Sequence, residues 1–345
     1  MKVRISHILV AAFLSAPAAC GGKSAPRPSQ GSLPTMPALA LPADPNRAAK
    51  VALGHALFFD PRMSVDGTRA CYSCHQNEDG NGGRDPIAVG PGEKKLTRHS
   101  PVIWNVGYFD GSLYWDGRAK DLEANAKGAW GGGNMGVGND NLDKKAAELL
   151  AIPGYKAMLE AAFPGEAPTA EHFMRALSEY ERTLVCDDTA YDRFAKGDKG
   201  ALTEPQQRGL DVFLGAGCAT CHAPPFFSSA MGVPGGVYHH VGIGTGKPES
   251  EVDPGRMTVT KKPEDWAAFK PPSLRNVARS APYFHDGSVA RLEEAVDLML
   301  AGGIDNKNKS KALVKVELSA EARADLLAFL GALDCPGKLE APALP

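Results

Sequence analysis

The chain has 345 residues, with 38 Lys and Arg against 40 Asp and Glu and a formal net charge of −2. That balance lacks the basic excess that marks a nucleic-acid-binding surface, and the length is ample for two domains with a core each. Aromatic residues are only 7% of the chain, so each Trp is worth placing individually.

In chain order, the first feature is an export signal. Lys2 and Arg4 precede the apolar run Ile5 to Leu14, and small residues Ala16, Ala18 and Ala19 lead into Cys20. The run is too short to span a bilayer. Residues 1–20 are read as a signal peptide of lipoprotein type, with Cys20-Gly21-Gly22 as the lipid acceptor. Pro17 stands where such signals usually carry Leu, and cleavage after the Ala-x-Ala pattern is the alternative. Either way the compartment is oxidising, which points to the periplasm. Residues 21–45, rich in Pro, Ser and Ala, read as a flexible tether.

A short helix is expected over Asn46 to Phe59, ending at Asp60-Pro61. Cys71-Tyr72-Ser73-Cys74-His75 follows, and Cys218-Ala219-Thr220-Cys221-His222 is its second copy. C-x-x-C-H is the attachment signature of c-type haem. Two thiols one turn apart reach the two vinyl groups of a porphyrin, and the histidine is then held under the iron. Zinc is the first alternative, but zinc ribbons place their pairs about 15–20 residues apart, whereas 144 residues (218 − 74) separate these. The second is a thioredoxin-like dithiol, which needs a βαβ context and no adjoining histidine. Residues 76–100 read as a long loop around the first haem, and 128–140 as a glycine-rich loop with Trp130 and Met135 in it. Residues 141–185 read as helices, with Phe173, Leu177, Tyr180 and Leu184 at helical spacing. Residues 195–204 are the expected linker. A last helix runs from Leu318 to Leu333 with Ser319 as N-cap, packed on one of the two domains, the N-terminal one being a candidate. Strand patterns are nearly absent.

An internal repeat runs through this order. Gly54-x-x-Leu57-Phe58 precedes the first haem motif and Gly209-x-x-Val212-Phe213 the second. Pro101-x-x-x-Asn105-Val106 echoes Pro272-x-x-x-Asn276-Val277, and Tyr114-Trp115-Asp116-Gly117 echoes Phe284-His285-Asp286-Gly287. The fold class that follows is mostly α, with two tandem cytochrome c-like domains over 46–200 and 201–335. The copies differ where chemistry is decided: Leu292 plus seven is Met299, Leu122 plus seven is Ala129. A methionine thioether can take the sixth position on a haem iron; an alanine cannot. His222 and Met299 are therefore the expected ligands of the second iron, and His75 alone of the first, which stays open to peroxide. Helix core is the alternative for Met299, and Met231, Met257, His239 and His240 are its competitors as ligands. Of seven cysteines, four go to haem and one to lipid. Cys186 and Cys335 remain, as a disulfide or as two unrelated buried thiols.

These motifs, with Tyr114-Trp-Asp-Gly-Arg-Ala119, Pro272-Ser-Leu-Arg-Asn-Val277 and Ala281-Pro-Tyr-Phe-His-Asp-Gly-Ser288, resemble the bacterial di-haem cytochrome c peroxidase family, which includes the MauG-type enzymes. The likeness runs from about residue 46 to 335. It implies haems joined through a central tryptophan, matched by Trp115, and a methionine ligand matched by Met299. Peroxidases of this family carry a histidine that blocks the first iron until the second is reduced; Pro91 stands there. The distal Gln and Glu of the family read Asn125 and Asn134, which hydrogen-bond peroxide but take no proton. His99 is a candidate proton carrier, although it matches the position where relatives place an Asn side chain on an inter-haem Ca²⁺. Imidazole suits that hard ion poorly, and backbone oxygens at Ser280 and Pro282 are the remaining calcium candidates.

His99-Ser-Pro-x-x-Trp-Asn-Val-Gly and Gly132-Gly-Asn-Met-Gly-Val137 look most like the MbnH-type branch, di-haem partners of periplasmic copper-associated proteins. The resemblance implies an enzyme that uses H2O2 to reach a bis-Fe(IV) state and oxidises a tryptophan on a partner protein. Two alternatives stand beside it. One is a peroxidase drawing electrons from a small cytochrome or cupredoxin. The other is a di-haem electron carrier without chemistry of its own.

Overall fold

The structure, a computed structural model, describes residues 33–345; the export signal and Cys20 lie outside them. Among the described residues the chain forms ten α-helices and ten short 3₁₀ turns, and its only β pairings are isolated bridges.

The repeat becomes two crossed helix pairs. Helix α1, Arg47–Phe59, buries Leu53, Ala56, Leu57 and Phe58 and stops at Asp60, whose carboxylate accepts the Arg62 amide ahead of Pro61. Five helices follow: α2 Leu122–Gly131, α3 Leu142–Leu150, α4 Pro153–Ala162, α5 Ala170–Arg182 and α6 Ala190–Ala195. Helix α5 buries Phe173, Leu177 and Tyr180 and crosses α1 at Gly54, where a Cβ would collide with the Ala176 carbonyl. In the second copy α7, Glu204–Gly215, starts at a Thr203/Gln206 capping box. After α8, Met257–Thr260, and α9, Leu292–Leu300, comes α10, Ala320–Gly331, capped by Ser319. Helix α10 crosses α7 at Gly209, where a Cβ would collide with the Asp325 carbonyl. The repeated glycines are thus the two points at which one helix lies directly on another's backbone. The last helix packs on the C-terminal half, against α7, and not on the N-terminal half. What returns to the N-terminal half is the tail beyond it: Leu339 joins the first core, its amide donating to Asn77 Oδ1 and its carbonyl accepting from Asn77 Nδ2.

Two hydrophobic cores result. One gathers Leu53, Phe58, Trp130, Tyr155, Phe173 and Leu177; the other gathers Tyr191, Leu210, Phe213, Phe227, Phe329 and Leu333. Tyr191 and Leu202 both belong to the second core, so the chain changes core ahead of residues 195–204. The glycine-rich segment also begins later than its composition suggests, since Gly128 to Gly131 are the last turn of α2. The presumed tether is, from residue 33 onward, laid along the body. Leu33 packs on the second core, Tyr191 donates its hydroxyl to the Pro34 carbonyl, and Tyr108 donates to that of Pro37. Its proline-rich composition makes it extended, and the tyrosines supply the fixing.

The repeat extends to the cysteines. Asn105 and Asn276 both have φ near +60°. The Asn105 side chain bonds the Cys186 amide and carbonyl, and Asn276 Oδ1 accepts the Cys335 amide at 2.6 Å. Cys186 and Cys335 are joined by a disulfide with Cα atoms 5.7 Å apart. Inside the second core Arg275 and Asp192 form a fully buried ion pair at 2.6 Å.

Candidate haem sites and the seam between them

Each C-x-x-C-H begins on a 3₁₀ turn, Cys71–Ser73 and Cys218–Thr220. The turn brings the Cys74 amide to the Cys71 carbonyl at 3.1 Å and the Cys221 amide to the Cys218 carbonyl at 3.2 Å. All four thiols are free. His75 Nδ1 donates to the Asn81 carbonyl at 3.2 Å, and His222 Nδ1 to those of Phe227 and Pro272 at 3.1 Å. A proton held on Nδ1 leaves the Nε2 lone pair to a metal. Burial lowers both imidazoles to about 4, so both are neutral. Four free thiols in two one-turn pairs, each followed by a neutral ligating nitrogen, fit two c-type haems.

The faces above the two sites differ. Asn125 and Ala129 lie one turn apart on α2, both half-buried. The Asn125 carbonyl accepts the Tyr114 hydroxyl at 2.9 Å. The loop after α2 folds back, with the Met135 amide on the Ala129 carbonyl at 3.1 Å, and this carries Asn134 to the same end of the helix. The Pro91 loop packs there too: a Cβ on Gly90 would collide with the Gly133 carbonyl, and Pro91 lies against Gly136. The structure therefore brings Pro91 and Asn134 to the Ala129 end of α2, with Asn125 one turn further back along the helix. In the second copy Met299 is half-buried on the last turn of α9. Its competitors have contacts of their own. Met231 is buried and its backbone bridges to Phe109, and Met257 packs against the Val252–Trp266 cluster. His239 Nδ1 bonds the Ser310 hydroxyl. His240 Nδ1 accepts the Gly242 amide, which puts its proton on Nε2 and leaves no lone pair there.

Trp115 sits at the seam between the halves. Its indole N–H donates to the His99 carbonyl at 2.8 Å, and its carbonyl accepts the Lys270 amide at 2.9 Å. His99 belongs to this seam and not to the α2 face. Its Nδ1 donates to the Asp85 carbonyl at 2.9 Å and its amide to the His285 carbonyl at 2.7 Å, and burial lowers its pKa. None of these contacts involves Asn125 or Asn134, and a proton held on Nδ1 leaves the Nε2 lone pair of His99 available. Ser280, next to Pro282, lies against Gly82. Among the described residues no three His, Cys, Asp or Glu side chains converge as a metal cluster.

Sequence reasoning missed three ionisable side chains, Arg98 half-buried and Lys270 and Glu181 buried. Arg98 spans Asp116 at 2.7 Å and Asp253 at 2.6 Å, tying the halves together. Lys270 has its ammonium 3.4 Å over the Phe109 ring; burial lowers it to about 7 while Asp116 opposes the shift. Glu181 is buried with Oε2 unpartnered among the described residues. Burial pushes its carboxyl up to about 8, Arg182 opposing and Glu123 adding to the shift. Glu181 had a sequence signal, since it falls four residues after Leu177 on the apolar stripe of α5. Arg98 and Lys270 had none, because their partners are remote in sequence.

Residues 48–200 match the family described as Di-haem cytochrome c peroxidase. Over 98% of the chain, the sequence is 34% identical to Cytochrome-c peroxidase IdrP1 of Pseudomonas sp. (strain SCT), covering 94% of that protein. It is 35% identical to Methylamine utilization protein MauG of Methylorubrum extorquens, over 88% of this chain and 83% of that one. A crystal structure of a MauG-like protein associated with microbial copper homeostasis superposes with a TM-score of 0.77 at 30% identity, covering 89% of this chain and 97% of that one. Two haem-fitting motifs in a helical fold, and relatives aligned along nearly the whole length, place the chain in the di-haem cytochrome c peroxidase and MauG family of oxidoreductases.

Proposed function

We propose that the chain carries two covalently bound c-type haems, on Cys71, Cys74 and His75 and on Cys218, Cys221 and His222, and uses H2O2 to oxidise a tryptophan of a partner protein. The observation that supports this is the asymmetry between repeat-related helices: Ala129 on α2 against Met299 on α9. Bound haem supplies the two-electron reduction of peroxide to water and a pair of irons over which the oxidising equivalents are shared.

The chain's own part is positioning. With haem bound, His75 Nε2 would ligate the first iron, and Asn125, Ala129 and Asn134 would offer it neither ligand nor base, so the two amides would orient peroxide and proton transfer would fall to another group or to water. His222 Nε2 and Met299 Sδ would ligate the second iron and close it to small molecules. Trp115, held from both halves, is placed to carry electrons between them. Each of the two halves, which meet between Cys186 and Tyr191 rather than at residue 200, wraps one haem. Export puts the protein in the periplasm with Cys20 as its anchor. No helix among the described residues is long and apolar enough to cross a membrane. The copper-homeostasis relative favours a copper-associated protein as partner.

Visible, near-infrared and EPR spectra of the ferric protein, before and after stoichiometric H2O2, test this reading. One high-spin and one low-spin haem, with a long-lived near-infrared band that Trp115→Phe abolishes, is the expected result. Two low-spin haems that react only after one-electron reduction would favour the second reading, a peroxidase fed by a small redox protein, which the cytochrome-c peroxidase relative supports. Two inert low-spin haems would leave an electron carrier.

A further inference from the structure

If a partner's side chain is oxidised, electrons must enter this protein through its surface. Three of the four tryptophans have their indole N–H tied to an interior acceptor: Trp104 to Asn81 Oδ1, Trp115 to the His99 carbonyl and Trp130 to the Met63 carbonyl. Trp266 has no such acceptor among the described residues. It is 8% exposed, close to the 7% of Trp104 and Trp115, but it forms part of the wall of a surface cavity of about 570 Å³ with Val252, Pro254, Met257, Pro263 and Lys307.

Behind Trp266 lies an aromatic array that leads to the seam. Its ring meets the His240 ring edge to face at 5.3 Å. The neighbouring His239 exchanges both backbone hydrogen bonds with Phe269, at 2.8 and 2.9 Å. The Phe269 ring stacks on His285 at 3.7 Å and 16°. His285 accepts the His99 amide, and the His99 carbonyl accepts the Trp115 indole N–H.

We propose that Trp266, in the wall of this cavity, is the relay through which electrons from a donor aromatic side chain of the partner protein, seated in the cavity, reach Trp115. The proposal rests on the function proposed above. In each turnover H2O2 takes up two electrons and two protons and becomes two waters. Trp266 gives up one electron inward and regains one from the donor, twice. The donor loses two electrons in all, and the indole of Trp266 ends unchanged. Without a donor the indole itself loses both electrons and gains one oxygen from water. Lys307 sets the ease of this step. Its ammonium stands 4.9 Å over the Trp266 ring, where a cation disfavours a positive charge on the indole. Glu249 holds the same ammonium at 2.9 Å.

The test treats the purified holoprotein with H2O2 alone, follows the near-infrared band, and maps oxygen addition at all four tryptophans by peptide mass spectrometry. Trp266 is expected to gain oxygen ahead of Trp104 and Trp130. Trp266→Phe should lengthen the band's lifetime about tenfold, equivalent to 1.36 kcal/mol of barrier; Trp266→Tyr should restore the faster decay, and Lys307→Met should shorten the lifetime. Cyanide on the iron should abolish the labelling. Labelling at Trp266 that survives cyanide, labelling no greater than at Trp104, or equal lifetimes in wild type and Trp266→Phe would overturn the relay while leaving the proposed function intact. Absence of the band in wild type would remove both.

Discussion

The Glu181 carboxyl offers a test of the buried electrostatics beside the first haem motif. It lies on α5 with Oε2 unpartnered, and its nearest cation is committed elsewhere: Arg182 pairs with Glu123 at 2.8 Å and Glu179 at 3.2 Å. Burial raises its pKa from 4.5 to about 8, so the folded protein keeps this proton at neutral pH while the unfolded chain has lost it. Between those values the native state binds more protons, and its stability falls as pH rises. Below 4.5 both states are protonated and nothing is lost; above about 8 the loss is complete. The span of 3.5 units corresponds to about 5 kcal/mol at 1.36 kcal/mol per unit, with about 3 kcal/mol already lost at pH 7. Glu181→Gln has a similar shape and cannot ionise. It should match wild type near pH 4.5 and exceed it increasingly up to pH 8, by about 1.4 kcal/mol per pH unit. Thermal unfolding of the two haem-loaded proteins at pH 5, 6, 7 and 8 measures the difference. A gap in Tm that does not change with pH would show that Glu181 is ionised or solvated in the folded protein, and would refute the reasoning.

Three further outcomes are expected. Two glycines of α7 should respond oppositely to the same change. Gly209→Ala drives a Cβ into the Asp325 carbonyl and should cost about 1–3 kcal/mol or more, whereas Gly215→Ala, with nothing within 4 Å, should gain up to about 1 kcal/mol; equal Tm shifts would show that α7 and α10 do not cross as described. Met299→Ala should convert the low-spin ferric EPR signal of the second haem to high-spin, and a persistent low-spin signal would assign the ligand elsewhere. Cys335→Ser opens a crosslink between residues 149 apart and should cost about 3–5 kcal/mol in denaturant unfolding; a cost below about 1 kcal/mol would mean the unfolded chain is already compact.

What the sequence made legible was whatever leaves a side-chain signature at fixed spacing. The haem motifs, the boundaries of α1 and α10, and the repeat of Gly54 and Gly209 are of this kind, because thiol reach, capping and helix crossing each demand one residue type at one position. The repeat also had a meaning beyond its residues. Asn105 and Asn276 fix the irregular segments that carry Cys186 and Cys335, which turns a leftover pair of cysteines into a bond between the two copies. The hidden features depend on backbone partners or on distant charges. Residues 33–45 look like a tether because nothing in their composition records that Tyr108 and Tyr191 donate to the carbonyls of Pro37 and Pro34. Nothing in the sequence around His99 records that its Nδ1 donates to the Asp85 carbonyl or that its own carbonyl positions Trp115. The same logic separates Trp266 from the other three tryptophans. A one-letter sequence treats four indoles alike, and the partner of each N–H separates the three anchored inside from the one that borders a surface cavity.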